Sequence, residues 1–293
     1  MRKGIILAGG LGTRLYPITL ATSKQTLPIY NKPMIYYPLS VLMSAGIRDI
    51  ALISTQRDKN IFKSILKNGK EFGVKIKYYV QDKPTGIPMA FKICKSFIKH
   101  YPSVLVLGDN IFHGNNLVDL LKKASKNFKK STLFSYHVKD PQNFGVVETN
   151  KRNKVISLEE KPKKPKSNFI ATGMYFMPPG VSKLLTILKP SKRKEFEIID
   201  LLNIYLKQDK LNSIKLGKGF TWFDTGTHNS MLKASNFIKK KENNQKKHIG
   251  NIHEIAFRQG WISRKTLYLV SKSYAKSGYG KYLKKILDIK LWK

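Results

Sequence analysis

A chain of 293 residues with 41% hydrophobic content can bury a large core as one large domain or two ordinary ones, which excludes a peptide, a linker or a small stapled scaffold. Its single cysteine, Cys94, cannot close an internal disulfide, so the fold is expected to form without an oxidising compartment, in the cytoplasm. The formal charge of +37 comes from 47 Lys and only 8 Arg spread along the whole chain; sequence-reading nucleic-acid surfaces use bidentate Arg and stacked aromatics, so a solvated basic surface without a specific nucleic-acid partner is expected.

The first apolar run, residues 4–8, stops at Gly9-Gly10 and is followed at once by Arg14, too short for a secretory segment. No later run reaches the length of a membrane span, so no membrane partner is expected. Runs at 4–8, 50–54, 76–80 and 104–107 read as short buried strands, alternating with helical periodicity at 34–45, 61–66, 89–98 and 117–124. Such a βαβα order predicts an α/β fold with a mostly parallel sheet covered by helices, and places ligands beyond the carboxyl ends of the strands. Beyond residue 130 the pattern changes to strands at 132–138, 145–148, 155–158 and 171–176, then helices at 181–188 and 198–206, a strand at 221–223 and an amphipathic stretch at 230–238. The lysine-rich run 239–247 reads as solvated, and 254–293 carries two or three helical patterns.

The first strand runs directly into Gly9-Gly10-Leu11-Gly12-Thr13-Arg14. Closely spaced glycines let backbone N–H groups approach a polyphosphate, and Arg14 adds a planar fork for the same anion. Neither the dinucleotide fingerprint nor the Walker spacing is present, and three glycines after a strand also make ordinary tight turns. The next segments narrow the reading: G-G-L-G-T-R-L-Y-P-I-T, then K-Q-T-L-P and K-P-M-I-Y-Y-P-L. In order there follow V-L-G-D-N at 106–110, F-G-V-V-E at 144–148, S-L-E-E-K-P at 157–162, T-G-M-Y-F at 172–176, W-F-D-T-G-T-H at 222–228 and E-I-A-F-R at 254–258. This series resembles the sugar-phosphate nucleotidyltransferases over nearly the whole chain and, within them, the glucose-1-phosphate thymidylyltransferases.

The resemblance implies a Rossmann-like three-layer nucleotidyltransferase fold with a small β insertion. Residues 1–240 would form the catalytic domain, with a nucleotide half to about 130 and a sugar-phosphate half over 131–240, and 241–293 a C-terminal helical subdomain. It implies the reaction of dTTP with α-D-glucose 1-phosphate to give dTDP-glucose and diphosphate, feeding deoxyhexoses such as rhamnose, by a homotetramer. Two polyanions must meet in such a reaction, so charge neutralisation by a divalent cation and fixed Lys and Arg is the main task. Asp109 and Asp224, each at the end of a strand, are the implied Mg2+ ligands, since hard magnesium takes one or two carboxylates plus phosphate oxygens and water. Taken singly, either aspartate would read as a turn residue.

Arg14 and Lys24 would grip the triphosphate and Lys161 the sugar phosphate, as the catalytic set. Gly9, Gly10, Gly12, Thr13, Gln25, Gln81 and Gly86 complete the nucleotide site by resemblance, with Gln25 on the deoxyribose and Gln81 and Gly86 on the base. Gly145, Glu160 and Ala171 join Lys161 around the hexose. The chain departs from the pattern at Leu11, Pro88-Met89, Phe144, Ala171 and Asn115, which bear on nucleotide strictness and feedback control. The competing readings are a relative using UTP, CTP or GTP, and a non-catalytic basic nucleic-acid-binding protein on the same fold.

Overall fold

The aliphatic and β-branched runs pair as expected in a computed structural model that describes residues 1–288. The strands, in chain order, are β1 (Lys3–Ala8), β2 (Pro28–Ile29), β3 (Lys32–Pro33), β4 (Asp49–Ser54), β5 (Lys75–Val80), β6 (Ser103–Leu107), β7 (Asn110–Gly114), β8 (Ser131–His137), β9 (Gly145–Thr149), β10 (Val155–Glu160), β11 (Phe169–Met177), β12 (Leu211–Leu216) and β13 (Phe220–Asp224). Nine of them form one sheet, in the order β10-β9-β11-β6-β1-β4-β5, with β8 also on β11 and β12 on β8. The pairings set β5, β4, β1, β6, β8, β12 and β9 in one direction and only β11 and β10 against them. The expected α/β architecture with a mostly parallel central sheet is therefore present. Ile5, Ile6, Leu52, Ile53, Leu105 and Val106 are wholly buried, as strands covered on both faces require.

Four strands escaped the sequence reading: the short antiparallel pair β2 and β3, and β7 and β12. β7 pairs antiparallel with β13, opposing Asn110 to Asp224, and β12 extends the sheet edge beside β8. The periodic stretches at 89–98 and 181–188 form less helix than expected: Met89–Ile93 and Lys95–Ile98 are separated at Cys94, and only Val181–Leu184 is helical in the second.

The run 239–247 departs from the solvated reading. A single helix, His228–Gln245, carries through it, started by a capping box at Thr227 and Ser230. Glu242 is buried on its inner face, where its carboxylate meets Lys32 Nζ at 2.7 Å and accepts hydrogen bonds from Asn31 Nδ2 and the Ile249 backbone N–H, both at 2.8 Å. Removing one partner of such a pair leaves the other charge buried and uncompensated. Lys32→Met is accordingly expected to cost about 3 kcal/mol, and an unchanged urea midpoint would contradict it.

The expected division at 240/241 falls inside that helix. The tail helices Ile252–Arg258, Arg264–Ser273 and Gly278–Asp288 share one core with the helix Tyr36–Ser44: Ile252, Ala256, Leu267 and Leu283 pack in the same buried cluster as Leu39, Leu42 and Phe62. The last five residues of the expected helical tail lie outside the described ones. His253, 1% exposed, sits among these helices. Tyr279 Oη donates to Asn251 Oδ1 at 3.0 Å, so His253 Nδ1 donates to Tyr279 Oη at 2.7 Å, and its buried Nε2 has no partner among the described residues. Burial pushes its pKa down to about 4. Between that value and the unfolded one near 6.5 only the unfolded chain takes the proton, so stability falls with acidification, by about 2 kcal/mol at pH 5 relative to pH 7. Urea melts of wild type and His253→Phe should separate the two: the variant loses this component of the pH dependence, and identical profiles would refute it.

Candidate active site

The glycine turn, Gln81 and Asp109 all lie just past the carboxyl ends of β1, β5 and β6 in the one sheet, with β4 between β1 and β5, where an open α/β sheet leaves backbone groups free for a ligand. Gly108 N–H still donates to Leu7 O at 2.9 Å, so β1 and β6 stay registered to the last residue before Asp109. A cleft of about 330 Å³ opens over this edge, lined from the nucleotide half by Gly10, Gln81 and Gly86 and from the other half by Gly145, Glu160, Lys161, Ala171 and Asp224. Of the other expected site residues, Gly9, Gly12, Thr13, Arg14, Lys24, Gln25 and Asp109 are not among those lining it.

The glycine turn is tight for identifiable reasons. A Cβ on Gly9 would stand 2.5 Å from Gln81 Oε1, so the turn and the glutamine can be neighbours only because residue 9 has no side chain. At Gly10 a Cβ would meet nothing within 4 Å, leaving its backbone open to the cleft. Gly12 takes the left-handed conformation (φ 68°) that starts the short helical turn Thr13–Leu15 and presents Thr13 and Arg14 to solvent. The Gln81 side chain makes no hydrogen bond among the described residues, although the residue is only 6% exposed.

Asp109 and Asp224 come together through β7 and β13. Thr225 fastens the junction, donating from its backbone N–H (3.1 Å) and its hydroxyl (2.7 Å) to the Asp109 carbonyl. The Asp109 carboxylate is buried, ion-paired with Lys24 through Oδ2, and accepts from Asn110 Nδ2 at 3.0 Å through Oδ1. Burial acts to raise its pKa, but the Lys24 charge and the hydrogen bonds from Lys24 and Asn110 outweigh it and hold the carboxyl below its ordinary value. Asp224 moves the other way, raised by burial and by the charge of Asp109, with Lys24 and Arg14 opposing. Arg14 stands beside it: a Cβ on Gly226 would fall 2.6 Å from Arg14 Nη2 and 3.0 Å from Asp224 Oδ1. Lys24, half-buried, and Arg14 are set against the two carboxylates.

In the other half, Gly145 opposes Glu160 in the β9–β10 ladder, and Lys161 follows in the left-handed region (φ 46°), its N–H bonded to Phe144 O at 3.0 Å. A non-glycine residue held there is strained, as binding residues often are. Glu160 Oε1 accepts from Arg193 Nη2 at 3.1 Å, and Arg193 also reaches Glu197 Oε2 at 2.8 Å. Burial, then the charge of Glu197, raises the Glu160 pKa against the pull of Arg193 and Lys161. Phe144 packs edge-on to Trp222, ring centroids 5.7 Å apart.

Two assignments change in detail. Gln25 does not line the cleft; it is 1% exposed, its Oε1 accepts from Ser23 Oγ at 2.6 Å and its stem lies under Gly108, so it supports the Asp109 turn from beneath. Gly86 does line the cleft, but its missing side chain makes room for the Phe196 backbone, where a Cβ would stand 2.1 Å from the carbonyl oxygen. Asn110, Trp222 and Arg193 are among the cleft residues not expected as site residues. Asn110 and Trp222 stood inside quoted motifs, whereas Arg193 lies in Ser-Lys-Arg-Lys-Glu, which looks like solvated charge.

A model of the nucleotidyl transferase family matches residues 3–241, from the first residue of β1 into the helix that follows Asp224. The chain belongs to the nucleotidyl transferase family. It is an enzyme that transfers a nucleotidyl group. It is 50% identical over 282 residues to a glucose-1-phosphate thymidylyltransferase of Xanthomonas campestris pv. campestris, covering 96% of each chain. With the enzyme of that name from Neisseria meningitidis it shares 49% over 285 residues, 97% of this chain and 99% of the relative. A solved Bacillus anthracis structure described as a glucose-1-phosphate thymidylyltransferase, in complex with a sucrose, superposes with a TM-score of 0.75 at 39% identity, over 81% of this chain and 95% of that one. As a nucleotidyl transferase it has no described helix long and apolar enough to cross a membrane.

Proposed function

We propose that this nucleotidyl transferase is a glucose-1-phosphate thymidylyltransferase that joins dTTP to α-D-glucose 1-phosphate, releasing diphosphate and dTDP-glucose for deoxyhexose synthesis of the rhamnose type, as a cytoplasmic homotetramer. The observation that carries this reading is a cleft that gathers the bare glycine turn at Gly10, Asp224 beside the adjoining Asp109, and Lys161 with Glu160. Near-full-length relatives named for that reaction support it.

Asp109 and Asp224 fit Mg2+: both offer hard carboxylate oxygens and they adjoin one another. Bound there, the ion would supply Lewis-acid stabilisation to charge developing on phosphate oxygens. Lys24, ion-paired with Asp109, would offer its ammonium to the triphosphate beside Arg14 and the N–H groups of the turn. Gln81 offers an unpaired amide to the base edge, and two amide atoms suffice for a bidentate contact with thymine. Lys161 holds the sugar phosphate so that its oxygen stands in line with the α-phosphorus, and Glu160 accepts from hexose hydroxyls.

The sugar-phosphate oxygen displaces diphosphate directly, with no nucleotidylated side chain between the two substrates. A single displacement inverts the phosphorus. Turnover of one diastereomer of dTTP carrying sulfur on the α-phosphorus should therefore yield the inverted product; retention would show a covalent intermediate and overturn the mechanism. Run beside UTP, CTP and GTP, the same assay should give dTTP the largest kcat/KM.

A further inference from the structure

The side chain of Asn110 makes three hydrogen bonds that span the cleft floor. Its Nδ2 donates to Asp109 Oδ1 at 3.0 Å, while its Oδ1 accepts from Gly173 N at 3.0 Å and from Trp222 Nε1 at 2.7 Å. The residue is 2% exposed, and backbone pairing with Asp224 fixes it. Gly173 can take part because β11 breaks register with β8 between Ala171 and Tyr175, which withdraws its N–H from the ladder. The absence of a side chain at 173 is required as well, since a Cβ would stand 2.6 Å from Asn110 Oδ1.

Of the two groups on the Asp109 carboxylate, Lys24 hangs on a flexible stem, whereas the Asn110 amide cannot turn without breaking both bonds to its oxygen. We infer that Asn110 is a positioning residue that couples the cation-binding carboxylate of Asp109 to the sugar half of the cleft through Trp222 and Gly173. A rotation of the indole or a shift of β11 as the hexose enters would turn the amide plane and so re-aim Asp109 Oδ1; by reciprocity, cation binding would tighten the hexose side. Neither Asn110 nor Trp222 need touch the ion for this effect, which is how groups behind a ligand tune affinity about tenfold or more.

The inference rests on the assignment of Asp109 and Asp224 to a divalent cation, and the test separates the two. Mn2+ binding to the substrate-free protein is measured by electron paramagnetic resonance for wild type, Asp109→Asn, Trp222→Phe, Asn110→Leu and the Trp222→Phe/Asn110→Leu double variant. Binding by wild type that is lost in Asp109→Asn supports the cation assignment; no binding at this site by wild type removes that assignment and the inference with it. Given binding, Trp222→Phe should raise the Mn2+ Kd about threefold and Asn110→Leu about tenfold, and the indole substitution should have no further effect in the Asn110→Leu background. The KM for glucose 1-phosphate should rise in the same variants, whereas damage confined to sugar packing would leave the Mn2+ Kd alone. A wild-type Mn2+ Kd in Trp222→Phe overturns the coupling even where Asn110→Leu does not fold, and so does an equal effect of Trp222→Phe in both backgrounds.

Discussion

Asp109→Asn is expected to lower kcat by at least about a thousandfold while leaving the far-ultraviolet circular dichroism and the thermal midpoint close to wild type. The amide occupies nearly the volume of the carboxylate, so the Thr225 bonds to the residue 109 carbonyl survive. What disappears is the negative charge that holds Lys24 and, in the proposed reaction, a divalent cation. Asp224 alone cannot substitute. Its pKa is already raised by burial and by its neighbour, and with the Asp109 charge gone it faces Lys24 and Arg14 without that repulsion. That change predicts a second observable: Asp224 should ionise more readily in the variant, without restoring turnover. Near-normal activity in magnesium would remove Asp109 from the cation site.

Lys161→Ala should cut kcat/KM for glucose 1-phosphate by about a hundredfold and leave the KM for dTTP within about threefold. The asymmetry follows from position. Lys161 sits past β10 in the sugar half, whereas the groups proposed for the triphosphate are the glycine turn, Arg14 and Lys24. Alanine keeps a Cβ at the left-handed position, so the backbone strain is unchanged and the experiment reports the ammonium alone. Lys161→Arg retains charge but spreads it over a planar fork, and partial recovery would point to charge rather than shape. Unchanged kcat and KM for the sugar phosphate would refute the assignment.

Much of this arrangement was legible in the residues, because the strand–glycine–helix order places Gly9, Gln81 and Asp109 at one sheet edge by topology alone. The missing pieces have physical causes. β7 starts at Asn110, directly after Gly108-Asp109, so turn chemistry conceals a strand, and without it nothing announces that Asn110 opposes Asp224. β12, Leu-Asn-Ser-Ile-Lys-Leu, is an edge strand with few fully buried positions, so its periodicity is weak. Glu242 lies in a run of lysines, and only the fold reveals that Lys32 and Asn31 wait for it in the interior. Arg193 has the same difficulty, since an arginine among lysines acquires meaning only when Glu160 and Glu197 face it. Gln25 marks the opposite limit: family position suggested a nucleotide contact, while its side-chain oxygen accepts from Ser23 below the turn.

The central claim, that one cleft joins a nucleoside triphosphate to a hexose 1-phosphate across a cation held by Asp109 and Asp224, is tested most directly by diphosphate release. The purified chain is incubated with dTTP and glucose 1-phosphate, with and without Mg2+. Release that requires both substrates and the metal, and that vanishes in Asp109→Asn, is the predicted result. No release from any pairing of triphosphate and sugar phosphate, or full release after chelation of divalent metal, would contradict the account.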